Sequence, residues 1–435
     1  MRVRDAFILV IALVLIAPVA GNAQAPASEE ASNVIVLFRD GVTPAERERL
    51  MRQSGGAATR HFRNVPASAA RAGARARAFL ERHPDVLSVV PDREVEKLGK
   101  PTSSGLATAA QVVPAGVTRI GAQPGAVAFK GHGVGVAIVD TGIDFKHVDL
   151  NVADTCFTGY ASCQDDEGHG THVAGIVAAA NNAIDVVGVA PEATLYAVKV
   201  LDRRGRGTDS TIMAGLDWIA DHATTVSPAI RVVNMSLGRP GALNDNPALR
   251  GSVRAVVLAG VTVVVAAGND SSLEVSDQVP ATYPEVIAVA STTATAGSSA
   301  CAGHPSPVMG GTASYFTSDG AFDPLTGIGV SVSAPGEDRE DINQSCFLKS
   351  VGILSTRIGG GTVRMSGTSM AAPHVTGVVA LMAEQSAVTP DDARRRLRLG
   401  ADAVDVDPLD SPAGGYSFDG EREGIVWTTG ALSAQ

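Results

Sequence analysis

From residue 111 onward, apolar residues gather in short dense blocks separated by longer stretches of mixed polarity. The blocks 134–139, 194–200, 231–236, 261–266 and 286–290 are too short for buried helices and are rich in Val and Ile. That pattern predicts strands buried on both faces. The stretches 169–180, 208–222, 247–259, 369–384 and 390–398 have helix length and apolar faces. Strand alternating with helix predicts an α/β fold, a mostly parallel, doubly wound sheet with helices on both faces. Ligands meet such a sheet in the crevice at the carboxyl ends of its strands.

Residues 33–97 follow a different, shorter rhythm. Val34–Phe38 reads as a strand, and Thr43-Pro44 opens a helix with Thr as N-cap and Pro in the first turn. His61–Val65 reads as a second strand, 67–82 as an Ala/Arg-rich helix, and Val86–Val90 as a strand closed by Pro91-Asp92. Together they predict a small α+β module. The stretch 98–110 is small and polar, with Pro and Gly, and reads as a linker. The stretches 296–330 and 336–346 break the strand–helix rhythm and read as surface insertions. No internal repeat is present.

Composition narrows the classes. A chain of 435 residues that is 45% hydrophobic is long enough for more than one domain and too apolar to be disordered. The net charge of −10 is unevenly placed, because the segment 26–110 is mildly basic and the rest strongly acidic. An acidic body excludes a nucleic-acid or anionic-membrane partner, which needs a basic face. It suits a basic segment of the same chain. At the N-terminus, Arg2 and Arg4 precede the apolar run Ala6–Ala17 and then Ala23-Gln24-Ala25. This is the pattern of a cleaved secretory leader, residues 1–25, with export and no stable membrane association as its consequence. The four cysteines then meet oxidising conditions. Pairs Cys156–Cys163 and Cys301–Cys346 are expected, although four cysteines allow three connectivities.

Three segments set a reactive side chain at the end of an element. In VGVAIVDTGID, Asp140 ends a buried strand; in DEGHGTHVAGIVAA, His169 opens a helix; in SGTSMAAPHVTG, Ser369 opens another. A serine hydroxyl needs an adjacent base to attack a carbonyl, and that base needs an acid to fix its tautomer. With VVNMSLG and VVVAAGN at suitable separations, the chain resembles the subtilisin-like serine proteases, the subtilases, over most of 111–398. The order Asp, His, Ser separates that family from other Ser-His-Asp enzymes, and no GxSxG elbow surrounds Ser369. His169 and His172 lack the HExxH pattern of zinc peptidases, and the glycines of 131–135 lack GxGxxG. A catalytically silent binding protein on the same fold would lack a triad residue or Asn269.

The resemblance implies a secreted endopeptidase, monomeric, acting on proteins and peptides. Ser369 is then the nucleophile, His169 the base, Asp140 its orienting acid, and Asn269 the oxyanion-hole side chain. Ser236, Leu237, Gly238, Gly205 and Gly207 match substrate-pairing strands, and Ala266, Ala267 and Gly268 match the wall of the primary specificity pocket. Gln111, Asp149, Ala180, Asn182, Ile184 and Val186 match a structural calcium (Ca²⁺) site. Arg206 and Arg239 at the rim read as solvated charges, and His172 as helix packing. The family's plan divides the chain into a leader (1–25), an inhibitory ferredoxin-like propeptide (26–110) and a catalytic domain (111–435). Leu106–Ala110 is then expected in the cleft before self-cleavage. The stretch 400–435 departs from the family's ending.

Overall fold

The computed structural model describes residues 30–103, 110–413 and 421–434. The expected leader and most of the Leu106–Ala110 segment lie outside them.

The chain first builds β1 (Ser32–Phe38), α1 (Pro44–Ser54), β2 (Ala57–His61), β3 (Ala67–Ala72), α2 (Ala74–Glu81) and β4 (Val86–Pro91). The strands form an antiparallel sheet in the order β2-β3-β1-β4, the ferredoxin-like arrangement. Thr43 caps α1 as expected, with its hydroxyl accepting from Glu46 N–H at 3.3 Å while the Glu46 carboxylate accepts Thr43 N–H at 2.8 Å. Val34, Val36 and Phe38 face α1 and α2 and pack with Leu50, Met51 and Leu80. Ile35, Phe62, Val65, Ala67 and Ala69 face the other way, into the rest of the protein.

Two short strands, β5 (Glu94–Lys97) and β6 (Lys100–Pro101), lead out of this unit. The body follows with α3 (Ala115–Arg119), β7 (Gly135–Asp140), β8 (Phe157–Thr158), α4 (His169–Ala178), β9 (Thr194–Lys199) and β10 (Arg206–Thr208). Next come α5 (Asp209–His222), β11 (Ile230–Met235), β12 (Leu237–Pro240), α6 (Pro247–Leu258), β13 (Thr262–Ala266), β14 (Gln278–Val279) and β15 (Ile287–Thr293). The chain finishes with β16 (Val330–Ile342), β17 (Leu348–Thr356), β18 (Thr362–Ser366), α7 (Thr368–Gln385), α8 (Pro390–Leu399) and α9 (Thr428–Ser433).

The main sheet runs β6-β18-β17-β16-β15-β13-β11-β7-β9-β8, parallel from β16 to β8 and antiparallel at the other edge. Alternation along β7 divides the core, as the two-residue period of a strand requires. Val136 and Ile138 pack under α4 and α7, and Ala137 and Val139 under α5 and α6. From β7 the chain places β9 on one side and β11 on the other. The strand order therefore reverses there, and a crevice opens at the carboxyl ends of β7 and β11.

Three expectations need correction. The stretch 67–82 is not one helix: Ala67–Ala72 is a strand, and Gly73 precedes the helix at Ala74. Its alanines are small enough to lie buried between β1 and β2. The second strand is Ala57–His61 rather than His61–Val65, because Phe62 and Val65 turn inward against the body. The acidic stretch 336–346 is no surface insertion, since β16 runs through it to Ile342 with Glu337 and Glu340 fully buried. The end of the chain also has a place. Ile425 and Val426 enter the core beside α7, Thr428 N–H bonds Ile120 O at 3.0 Å, and the Trp427 ring covers Gly121.

Candidate active site

Asp140, the last residue of β7, and His169, the first of α4, meet at the crevice. His169 Nδ1 lies 2.8 Å from Asp140 Oδ1 and 3.0 Å from Oδ2, with both side chains fully buried. An Nδ1–H held by a carboxylate leaves Nε2 as the basic nitrogen. His169 Nε2 has no hydrogen-bond partner among the described residues. Ser369 is the second residue of α7 and is fully buried. Its Oγ donates to Ser236 O at 3.0 Å, and Ser236 Oγ donates back to Ser369 O at 2.9 Å.

Asn269 follows the Ala266-Ala267-Gly268 run at the end of β13. Its Oδ1 accepts from Thr368 N–H at 2.9 Å and Thr368 Oγ at 2.8 Å, which turns Nδ2 toward the crevice. There Nδ2 donates to the carbonyl of Leu98, and Ser369 N–H reaches the same oxygen at 3.3 Å. Two donors, one of them at a helix N-terminus, thus converge on a single peptide carbonyl, the geometry that stabilises a developing oxyanion.

That carbonyl belongs to the protein itself. β5 lies between two body strands, antiparallel to both: Lys97 is opposite Leu237 and Glu96 opposite Gly238 on β12, while Val95 is opposite Gly207 on β10. Lys97 N–H bonds Gly205 O at 3.0 Å, and Leu98 N–H bonds Ser236 O at 3.3 Å. A Cβ on Gly238 would stand 3.1 Å from the Leu98 side chain. Gly99 passes between the two elements that carry the reactive groups: a Cβ there would stand 2.8 Å from His169 Nε2 and 3.2 Å from Met370 Sδ. The segment in the cleft is therefore 94–99; residues 106–109 of the expected segment lie outside the described residues.

Sequence reasoning missed several groups around this centre. Asp165 is buried, accepts Glu167 N–H, Gly168 N–H, Thr171 N–H and two threonine hydroxyls, and so shapes the turn that delivers His169. Burial pushes its carboxyl above the usual range. The acidic triplet 165–167 just before a helix was the available signal. Thr368, which holds Asn269, was visible only as part of the motif. Burial lowers His172 to about 3, so it stays neutral and its Nε2–H donates to Ile353 O and Val363 O. Arg239 is not solvated as expected; it is 5% exposed, and two aspartates enclose it, Asp209 and Asp245, each at 2.7 Å. Arg206 is exposed and lies 3.5 Å from Glu94.

The six residues expected at a cation site also come together. The carbonyls of Ala180, Ile184 and Val186 converge on Gln111 Nε2 at 2.7, 3.1 and 3.0 Å. Asp149 accepts Val186 N–H through Oδ2 and is hydrogen-bonded to Asn182, while its buried Oδ1 has no partner among the described residues. Burial raises its carboxyl to about 7. Carbonyl oxygens around an unpaired buried carboxylate are a donor set that fits a hard cation. The disulfides are Cys156–Cys163 and Cys301–Cys346, as expected. No helix among the described residues is long and apolar enough to cross a membrane.

The sequence model of the subtilase family (peptidase S8) matches residues 131–415. Subtilisin E of Bacillus subtilis is 34% identical over 387 residues, covering 86% of this chain and 87% of that protein. M-protease of Shouchella clausii is 36% identical over 311 residues, covering 71% of this chain and 66% of that protein. Among solved structures, fervidolysin from Fervidobacterium pennivorans, described as a keratinolytic enzyme related to subtilisin, superposes with a TM-score of 0.67 at 25% identity. That match covers 95% of this chain, which spans 62% of the fervidolysin chain. The chain belongs to the subtilase family and is a serine endopeptidase.

Proposed function

We propose that the chain is exported and matures by cutting itself, with Ser369 as nucleophile, and that the unit before the cut first inhibits the cleft. The observation that carries this is the Leu98 carbonyl held by Asn269 Nδ2 and Ser369 N–H. The Ser369 hydroxyl turns from Ser236 O toward His169 Nε2, gives up its proton there and attacks the Leu98 carbonyl carbon. Asp140 keeps the proton on Nδ1 and stabilises the imidazolium. The oxyanion rests between Ser369 N–H and Asn269 Nδ2. Collapse breaks the bond to the Gly99 nitrogen, which takes the proton from His169, and water then releases the Leu98 carboxylate from the acyl-enzyme. Protein substrates follow the same path once the cleft is vacated.

The N-terminal unit is suited to remain as inhibitor after the cut. Arg63 pairs with Asp221 at 2.5 Å, Arg93 with Asp245 at 2.6 Å, and Lys97 with Glu167. Asp92 caps α5 through Ser210 N–H at 2.9 Å, where the helix dipole favours an anion. The basic segment thus meets the acidic body group by group. A calcium ion held by Gln111, Asp149, Ala180, Asn182, Ile184 and Val186 would neutralise the buried Asp149 and brace the loop, with no part in the chemistry.

The test is the full chain from residue 26, as wild type and Ser369→Ala, followed by mass. The wild type should yield a fragment ending at Leu98. Ser369→Ala should stay whole, with processing slower by about 10⁶-fold, the loss measured when subtilisin's own nucleophile is removed. Equal processing by both proteins would remove Ser369 from the mechanism.

A further inference from the structure

The side chains of the cleft strand alternate, one set enclosed by the body and the other at the surface, where Glu94 lies 3.5 Å from Arg206. Glu94 and Glu96 face solvent, Val95 is buried among body residues, and Lys97 points into the crevice. The Lys97 stem crosses Gly205, where a Cβ would stand 2.7 Å from Lys97 Cδ. Gly205 has φ +73°, so a side chain there would be strained as well as obstructive. At the end of this path the Lys97 ammonium meets the Glu167 carboxylate, each side chain 17% exposed.

Glu167 is held ready for that contact. Its Oε2 accepts His169 N–H at 2.9 Å, and its own N–H is fixed by Asp165 Oδ1 at 3.0 Å. The other nearby acid, Asp166, is engaged by Lys199 at 2.6 Å. The carboxylate is therefore oriented before any substrate enters, with the rest of the α4 turn supporting it.

We propose that Glu167 is a specificity-determining residue. It selects a basic side chain, lysine first, at the residue before the one whose carbonyl enters the oxyanion site. This deepens the reading of Ser369 as nucleophile and rests on it. Removing the partner of a half-buried charge leaves that charge poorly solvated, which makes the discrimination larger than at an exposed ion pair.

The experiment uses the matured protein and synthetic peptides spanning residues 93–102, with Lys97 kept or replaced by norleucine or Glu. In the wild type, kcat/KM for the Lys peptide should exceed that for the norleucine peptide by about tenfold. Glu167→Gln keeps an oxygen for His169 N–H but loses the charge, and the ratio should fall to near one. Glu167→Arg should reverse the order and favour the Glu peptide. If the wild type cuts Lys and norleucine peptides equally, the proposal fails while the protease reading stands, and this arm needs no variant to fold. If Glu167→Gln retains the wild-type ratio, the proposal also fails. A wild type as inert as Ser369→Ala on every peptide overturns the nucleophile reading, and this proposal with it.

Discussion

The four-stranded N-terminal sheet carries its own helices on one face only, whereas the main sheet carries helices of the body on both. On the uncovered N-terminal face, Ile35, Phe62, Val65, Ala67 and Ala69 share a cluster with Leu249 and Val253 of α6. The body covers both faces of its main sheet with its own helices, but the N-terminal sheet has its second face covered only by the body. This difference supports the proposal that the N-terminal unit inhibits the cleft and is cut from the body. Release would expose that apolar face to water, which favours the docked state after the cut.

The largest expected effect comes from separating the two faces by mutation. Leu50→Ala acts on the unit's own core, and Phe62→Ala on the face it shares with the body. Each should cost about 3 kcal/mol or more from lost burial and the cavity left behind. Leu50→Ala should unfold the N-terminal unit wherever it is, whereas Phe62→Ala should speed its release after the cut, measured by gel filtration of the processed mixture. If Phe62→Ala releases the fragment no faster than wild type, the docked face is not what retains it.

Calcium sharpens the other half of the comparison, the self-sufficiency of the body. At saturation near 100 Kd the ion should contribute about 2.7 kcal/mol, lost on adding chelator and seen as a lower Tm. The sign of its pH dependence follows from Asp149. Its carboxyl titrates near 3.8 when unfolded and is raised to about 7 in the folded chain without a cation. As pH rises through this window the unfolded state ionises first, so the chelated protein loses stability between about pH 4 and pH 7. The gain in Tm from calcium should therefore be larger at pH 8 than at pH 5. A gain independent of pH would argue against Asp149 as a ligand.

A smaller effect is expected at Glu337 on β16, whose carboxyl is pushed well above 4.5 by burial and by the adjacent Glu340. Here too the raised value means stability is present at low pH and falls as pH rises above about 4.5. Glu337→Gln should remove that slope and raise stability at pH 7 by on the order of 1 kcal/mol, read from urea midpoints at pH 4 and pH 7. An unchanged slope would mean that this pair does not control it.

Much of the fold was legible because the body's strands are dense Val and Ile runs whose ends carry the reactive residues. The ranges for β7, β9, β11, β13 and β15 and for α4 to α8 agree with the observed elements to within about three residues. The N-terminal unit was harder, because Ala67–Ala72 has a helical composition. Only pairing with β1 and β2 makes it a strand, as tertiary context overrides propensity. Glu337 and Glu340 looked like surface charges, since nothing local in the sequence records burial.

The sequence by itself determined the family: an Asp, a His and a Ser at element ends in the subtilase order, with four cysteines and a basic segment ahead of an acidic body. Tertiary structure alone decided which segment enters the cleft. β5 finds two strand edges, a pocket for Val95 and a carboxylate for Lys97. It also decided that Arg239 is buried between aspartates and that Glu167 meets Lys97 of the cleft strand. Such facts depend on residues far apart in the chain arriving at one place, and no local pattern of side chains encodes that arrival.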